Sequence, residues 1–378
     1  MTTPRQNIEA ALSPDGAQHI PVVICYEGIY IRDHWSELTN APWWHERSPD
    51  LSQQLAWRRE VLEQSAYDWF ELPGFLARHD RAALSIEQRA DGVYRVNHTT
   101  GVVKRLEKPA VSGWIPAEGV QSVHPAQLPV TEDEIDAALA LPSTFDAAHA
   151  GSEGVDDLAR ALCGLKPARY PLGYVAAPLW QTYQLWGFEG MMEMIATHPF
   201  LVQHACERYM AHCVRAIHEA AFQGAAGIWI EDCLTDMISE RDFTALNVSY
   251  LCRLTDEIRS AGMQSIHYFC GNPKGKWEAL LAVDADALAL EESKKGFAID
   301  IAEVAERVHG RRALLGNLDA IGILQDANDD ALKAEIMRQM EASQRNDNRF
   351  IMSIGSPVTP GTPVSRVRHF CDLVRELG

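Results

Sequence analysis

No two cysteines in this chain have C-x-x-C spacing, which excludes a zinc ribbon and a thioredoxin-type redox motif. The eight cysteines (Cys25, Cys163, Cys206, Cys213, Cys233, Cys252, Cys270 and Cys371) are scattered. Scattered cysteines in a long chain whose first residues are polar, with no apolar leader, read as reduced and cytoplasmic. No apolar run approaches the roughly 18 residues that a membrane span requires. Basic residues are scarce: 34 Lys and Arg stand against 52 Asp and Glu, a net charge of -18. Such a field repels nucleic acid and anionic membrane surfaces, and no basic cluster overrides it. The phosphate loops G-x-G-x-x-G and G-x-x-x-x-G-K-[ST] are absent. Fixed-period repeats and low-complexity segments are absent as well.

What is present is a regular alternation of short apolar strands and amphipathic helices from about residue 169 onward, which predicts parallel β/α units. The expected strands are Tyr170–Ala176, Gly227–Glu231, Gln264–Phe269, Ala287–Glu291, Arg312–Gly316 and Phe350–Ile354. Helices are expected over about 187–222, 240–260, 275–282, 300–308, 329–343 and 363–377. Upstream, the β-branched run His19–Ile24 and the segment near Tyr67 supply two more strands, and eight is the number that closes a (β/α)8 TIM barrel. An N-terminal helical extension begins near Gln6. Residues of about 83–107 carry Asp91-Gly92 and Thr100-Gly101 turn pairs and read as an inserted β-meander. Residues 1–378 are therefore expected to form a single barrel domain.

In such a barrel the chemistry lies at the carboxyl ends of the strands. That rule selects Glu27 and Arg32, Asp68 and Glu71, Tyr183, then Glu231, Asp232 and Cys233. It continues with His267, Tyr268 and Cys270, then Glu291, Glu292, Lys294 and Lys295, then Asn317 and Asp319, and finally Ser356 and Thr359. Rim residues meet water in any barrel, so each of them also fits a plain solvated role. Glu231 and Asp232 are adjacent, so strand alternation sends one inward and one outward. A carboxyl group crowded by another has its pKa raised, which is how a general acid is made. Tyr268 can donate to a developing oxyanion, or serve as a core aromatic with a satisfied hydroxyl. Cys270 is either a metal ligand or a small buried hydrophobe.

The segments GYVAAPLWQTYQLWG (173–187), FQGAAGIWIEDC (222–233), DMISERDF (236–243), HYFCGNP (267–273), LGNLDAIGIL (315–324) and FIMSIGSPVTPGTP (350–363) occur in this order. Together they resemble the uroporphyrinogen decarboxylase superfamily, which includes tetrapyrrole decarboxylases and zinc-dependent methyltransferases that work with corrinoid proteins. The resemblance covers a little more than half of the chain. It implies Asp232, Glu231, Tyr268 and Asn317 as catalytic. Among the strand-end residues, Glu27, Arg32, Asp68, Tyr183, Glu291, Lys294 and Ser356 are expected to bind substrate, Tyr183 standing close to a pocket tyrosine of the decarboxylases.

The departures from the pattern are informative. The tetrapyrrole decarboxylases carry an Arg-rich loop after the first strand, and this chain reads CYEGIYIRDHW there. One Arg is a poor match to a substrate bearing many carboxylates. The methyltransferases hold zinc with H-x-C-G after one strand and G-C after the last. Here Tyr268 and Ser356 stand in place of two ligands and Cys270 remains. A rescued zinc site would consist of Glu231 or Asp232, His267 and Cys270, although alternation turns His267 away from the face of Cys270.

The leading expectation is therefore an enzyme that moves a methyl group from a small substrate to a partner corrinoid protein or another acceptor. It would bind no cofactor tightly, or zinc. The alternative is a decarboxylase, a carbon–carbon lyase acting on a small carboxylated substrate or a tetrapyrrole. A non-catalytic binding protein on the same barrel is the third reading. A homodimer is an open assembly; nucleic acid and membrane partners are not expected.

Overall fold

The computed structural model describes residues 2–113, 128–293 and 296–378. Ten strands run along the described chain: β1 (Trp69–Glu71), β2 (Leu84–Arg89), β3 (Gly92–Asn97), β4 (Val103–Leu106), β5 (Tyr170–Ala176), β6 (Gly227–Asp232), β7 (Gln264–Phe269), β8 (Ala287–Leu290), β9 (Ala313–Leu315) and β10 (Phe350–Ile351). Seven of them form one parallel sheet in the order β1-β5-β6-β7-β8-β9-β10. All of these join neighbours in chain order, as successive β/α units require. Strands β2, β3 and β4 form a separate antiparallel meander in the place expected for the insertion.

Eight strands were expected, and the sheet has seven. The run His19–Ile24 contributes only an isolated parallel bridge, Val22 with Met352. It nevertheless touches both edges of the sheet: Val23 N–H donates to the Met352 carbonyl (2.9 Å), and Asp68 N–H donates to the Val22 carbonyl (2.9 Å). Two local causes keep it from forming a regular strand. Pro21 has no N–H to give to a ladder. The Val22 N–H is taken by the Asp68 side chain (2.8 Å) instead of a backbone carbonyl.

The sheet is buried on both faces: every residue of β6 is buried, as are all of β8, β9 and β10. This is the pattern of a parallel sheet covered by helices. Its concave side is filled by aromatic rings. Trp69 meets Trp229 edge-on at 5.9 Å, Trp229 stacks on Tyr268 at 4.9 Å, and Tyr26 meets Tyr268 edge-on at 5.8 Å.

The helix expected over 187–222 is two helices, Pro178–Thr197 and Pro199–Gln223. Pro199 explains the break: it disfavours helical geometry at His198 and then starts the next helix at its first position. The segment expected as one helix over 240–260 is helical throughout but carries a π-turn at Thr244–Val248. That turn brings Asn247 to the sheet.

Candidate active site

A cavity of 480 Å³ opens at the carboxyl ends of β5 to β10. Its walls come from six successive segments. Trp180, Tyr183 and Phe188 follow β5; Cys233, Asp236 and Met237 follow β6; Tyr268 and Cys270 close β7. Glu291 and Glu292 follow β8, Ala320 and Ile321 follow β9, and Ser356 to Thr359 follow β10. Apolar and aromatic surface dominates, and Trp180 stacks on Tyr183 at 5.3 Å. Among the described lining residues there is no Lys, Arg or His.

Alternation sorts the expected residues. Glu231 is in register with Tyr268, and Asp232 with Phe269. Glu231 faces inward, where its carboxylate accepts from the Tyr26 hydroxyl (2.9 Å) and the Cys233 thiol (3.4 Å). Burial is the main cause that pushes the Glu231 carboxyl above its ordinary range, and neighbouring Asp232 adds to it; the two hydrogen bonds oppose. Tyr268 also faces inward and donates to the Gly355 carbonyl (3.2 Å), while burial raises its phenol well above the usual value.

Asp232 faces the other way. It is fully buried on the helix side, where it accepts from Thr235 (2.8 Å) and Asn247 (2.8 Å) and lies 3.3 Å from His267 Nε2. Neither Asp232 nor His267 reaches the cavity. The expectation that Asp232 meets substrate is corrected accordingly: even-numbered positions of β6 point to the covering helices.

The same geometry bears on zinc. His267 and Cys270 lie on opposite faces of β7, and among the described residues no three His, Cys, Asp or Glu side chains are placed to hold a metal ion. The set Glu231, His267 and Cys270 does not fit zinc.

Other expected residues support the rim without lining the cavity. Asn317 donates from Nδ2 to the carbonyls of Glu291 (3.1 Å) and Ile299 (3.0 Å), so it holds the loop that carries Glu291. Arg32 pairs with Asp33 (2.8 Å) and donates to the Gly113 carbonyl at the cavity mouth. Glu27 accepts from the Tyr67 hydroxyl (2.6 Å) and the Glu71 N–H (2.6 Å), beside a separate 160 Å³ pocket. Asp68 precedes β1 and is consumed by the Val22 N–H and Arg375 (2.6 Å), so its expected substrate role is corrected to a structural one. Tyr183, Glu291 and Ser356 line the cavity, and Ser356 donates to Glu292 (2.7 Å). Lys294 and Lys295 lie outside the described residues.

Sequence reasoning passed over Trp180, Phe188, Asp236, Met237 and Ile321. Each lies beyond a strand end, Trp180 and Phe188 on the helix Pro178–Thr197 and the others in a loop or first helical turn, where no periodic signal marks a side chain as inward. Tyr26 was also passed over. Its left-handed backbone (φ 55°) turns the chain sharply after the first sheet segment and delivers its hydroxyl to Glu231.

The family model described as uroporphyrinogen decarboxylase (URO-D) matches residues 125–377. The uroporphyrinogen decarboxylase of Solibacter usitatus is 24% identical over 254 residues, covering 65% of this chain and 69% of that protein. That of Burkholderia mallei is 26% identical over 272 residues, covering 68% and 70%. Arabidopsis thaliana uroporphyrinogen decarboxylase 2, chloroplastic, is 23% identical, and the match spans 54% of this chain and 52% of that protein. Among solved structures, a methyltransferase from Methanosarcina mazei superposes with a TM-score of 0.69 at 17% identity, covering 100% of this chain and 99% of the other, which shows a shared fold. With a curled parallel sheet, a cavity at its strand ends and a family match over two thirds of its length, this chain belongs to the uroporphyrinogen decarboxylase (URO-D) family.

Proposed function

We propose that this protein is an enzyme that takes a methyl group from a small, largely apolar substrate and passes it to an acceptor, a separate corrinoid protein being the leading choice. The observation that carries the reading is the cavity wall: aromatic and aliphatic side chains with the carboxylates of Asp236, Glu291 and Glu292. A tetrapyrrole with many carboxylates needs converging cations, so this wall favours a substrate with little negative charge. We further infer that the sheet closes through the 21–24 segment as an eight-position barrel, since that segment bonds to both of its edges.

In this reading the chain's own residues do three things. Trp180, Tyr183 and Phe188 hold the apolar body of the substrate and exclude water. Glu291 and Ser356 orient its polar end. The heteroatom that loses its methyl group takes a proton, which the inward Tyr268 hydroxyl delivers in this reading. The methyl group leaves for the acceptor, and the chemistry of that acceptor belongs to the partner.

Decarboxylation is the second reading, favoured by one observation: burial keeps the Glu231 carboxyl protonated over a wider range. A buried acid can return the proton that replaces lost carbon dioxide. The test is a panel of methyl ethers, methylamines and methyl thioethers incubated with the protein and free cob(I)alamin. A methyl–cobalt absorption spectrum that depends on the protein supports methyl transfer. Carbon dioxide release from a small carboxylate, with no methyl transfer from any donor, overturns it in favour of the second reading.

A further inference from the structure

Cys233 and Cys270 stand one residue beyond the ends of β6 and β7. The register pairs Asp232 with Phe269, and Cys270 N–H donates to the Asp232 carbonyl (2.9 Å), which carries the parallel ladder one step further. The two cysteines are therefore abreast on adjacent strands. Neighbouring strands lie about 4.8 Å apart, inside the roughly 4.4–6.8 Å Cα window of a disulfide. Both residues line the cavity, and the Cys270 thiol lies close enough to raise that of Cys233. The Cys233 thiol also donates to Glu231 Oε1 (3.4 Å). Both are free thiols, Cys233 buried and Cys270 only half-buried. Their separation of 37 positions in the chain conceals a pair that the fold creates.

We propose that Cys233 and Cys270 form a reversible dithiol–disulfide site in the cavity wall, with a hydroperoxide as the oxidant. Cys270, the more accessible sulfur, reacts first: its thiol and the peroxide give a sulfenic acid and one alcohol, or water when the oxidant is hydrogen peroxide. The Cys233 sulfur then attacks the Cys270 sulfur. Its proton passes to the departing sulfenic hydroxide, which leaves as water. Two thiols and one hydrogen peroxide thus become one disulfide and two waters. The neighbouring Cys270 thiol and then burial hold the Cys233 thiol above its ordinary value, so closure quickens as pH rises. Closure removes both S–H groups from the wall beside Tyr268. The competing description, two small buried hydrophobes packed side by side, makes no use of their shared orientation into the cavity.

The test uses the full chain treated with hydrogen peroxide, blocked with N-ethylmaleimide and digested with trypsin without reduction. The cysteines fall in separate tryptic peptides, 216–241 and 260–274. The expected result is one cross-linked pair of these peptides, lighter by two hydrogens than their sum, which dithiothreitol separates. Cys233→Ser should leave Cys270 as a sulfenic acid that dimedone traps. Over-oxidation of Cys270 beyond the sulfenic acid in the wild type, with Cys233 recovered as its maleimide adduct, would overturn the proposal. A cross-link from either cysteine to the peptide containing Cys25 would overturn it as well. Peptide mapping of the wild type decides the matter even where Cys233→Ser fails to fold.

Discussion

Asp232→Ala should damage the fold and leave the chemistry of the surviving molecules intact. The carboxylate is fully buried and serves three partners: Thr235, Asn247 and His267. Its removal strands two buried donors, each worth about 1–3 kcal/mol when unsatisfied, and deprives His267 of its only carboxylate contact among the described residues. Together these stranded groups should cost about 3–5 kcal/mol. At roughly 2 °C per kcal/mol for a chain of this size, the melting temperature should fall by about 6–10 °C. Asp232→Asn should cost less, about 1–2 kcal/mol, because its carbonyl still accepts from Thr235. Its new amide can donate to Asn247 Oδ1, which has no hydrogen-bond partner among the described residues, once Asn247 turns over. Urea denaturation followed by tryptophan fluorescence gives the stability, and turnover per folded molecule gives the activity. Wild-type stability in Asp232→Ala, together with lost turnover, would refute the outward assignment and restore Asp232 to the reaction.

Three further outcomes follow from the same contacts. The Glu231 carboxyl is raised in the folded protein, so the native state holds a proton that the unfolded chain releases. Stability therefore falls as pH rises from the unfolded carboxylate value to the folded one. Glu231→Gln should lessen that fall in denaturation curves across this range, with Glu27, Asp68 and Glu71 supplying the rest; an unchanged slope would exclude Glu231 as a source. Asn317→Ala frees the Glu291 and Ile299 carbonyls and should cost about 1–3 kcal/mol, with KM rising more than kcat falls as the Glu291 loop loosens. Asp68→Ala unties Val22 and Arg375. Faster hydrogen exchange at Val22 and Val23, with cavity ligands still bound, is the expected readout.

The C-terminal half of the fold was legible because parallel strands buried on both faces write themselves as short apolar runs between helices. Tyr170–Ala176 and Gln264–Phe269 have the bounds expected, and the other four shift by one to three residues at an end. The meander at Leu84–Leu106 was legible from its turn pairs. The first sheet segment was not, because Pro21 and the Asp68 carboxylate divert hydrogen bonds that a β-branched run alone would promise to a ladder. In the site, the odd–even rule on β6 and β7 already separated Glu231 from Asp232 and Tyr268 from His267. Family position weighed Asp232 as catalytic against that rule, and the geometry sides with the rule. The pairing of Cys233 with Cys270 required the register between two strands, which no single stretch of sequence contains.

The most direct test of the central claim, that the cavity beside Tyr268 is where the methyl group changes hands, is label transfer by Tyr268→Phe. The substrate would be a carbon-13 methyl donor identified in the panel, with cob(I)alamin as acceptor. Loss of the phenolic proton donor should slow transfer by about a hundredfold, while the melting temperature drops by no more than the single hydrogen bond to Gly355 supports, about 0.5–1.5 kcal/mol. Transfer at the wild-type rate by a folded Tyr268→Phe protein would contradict the account.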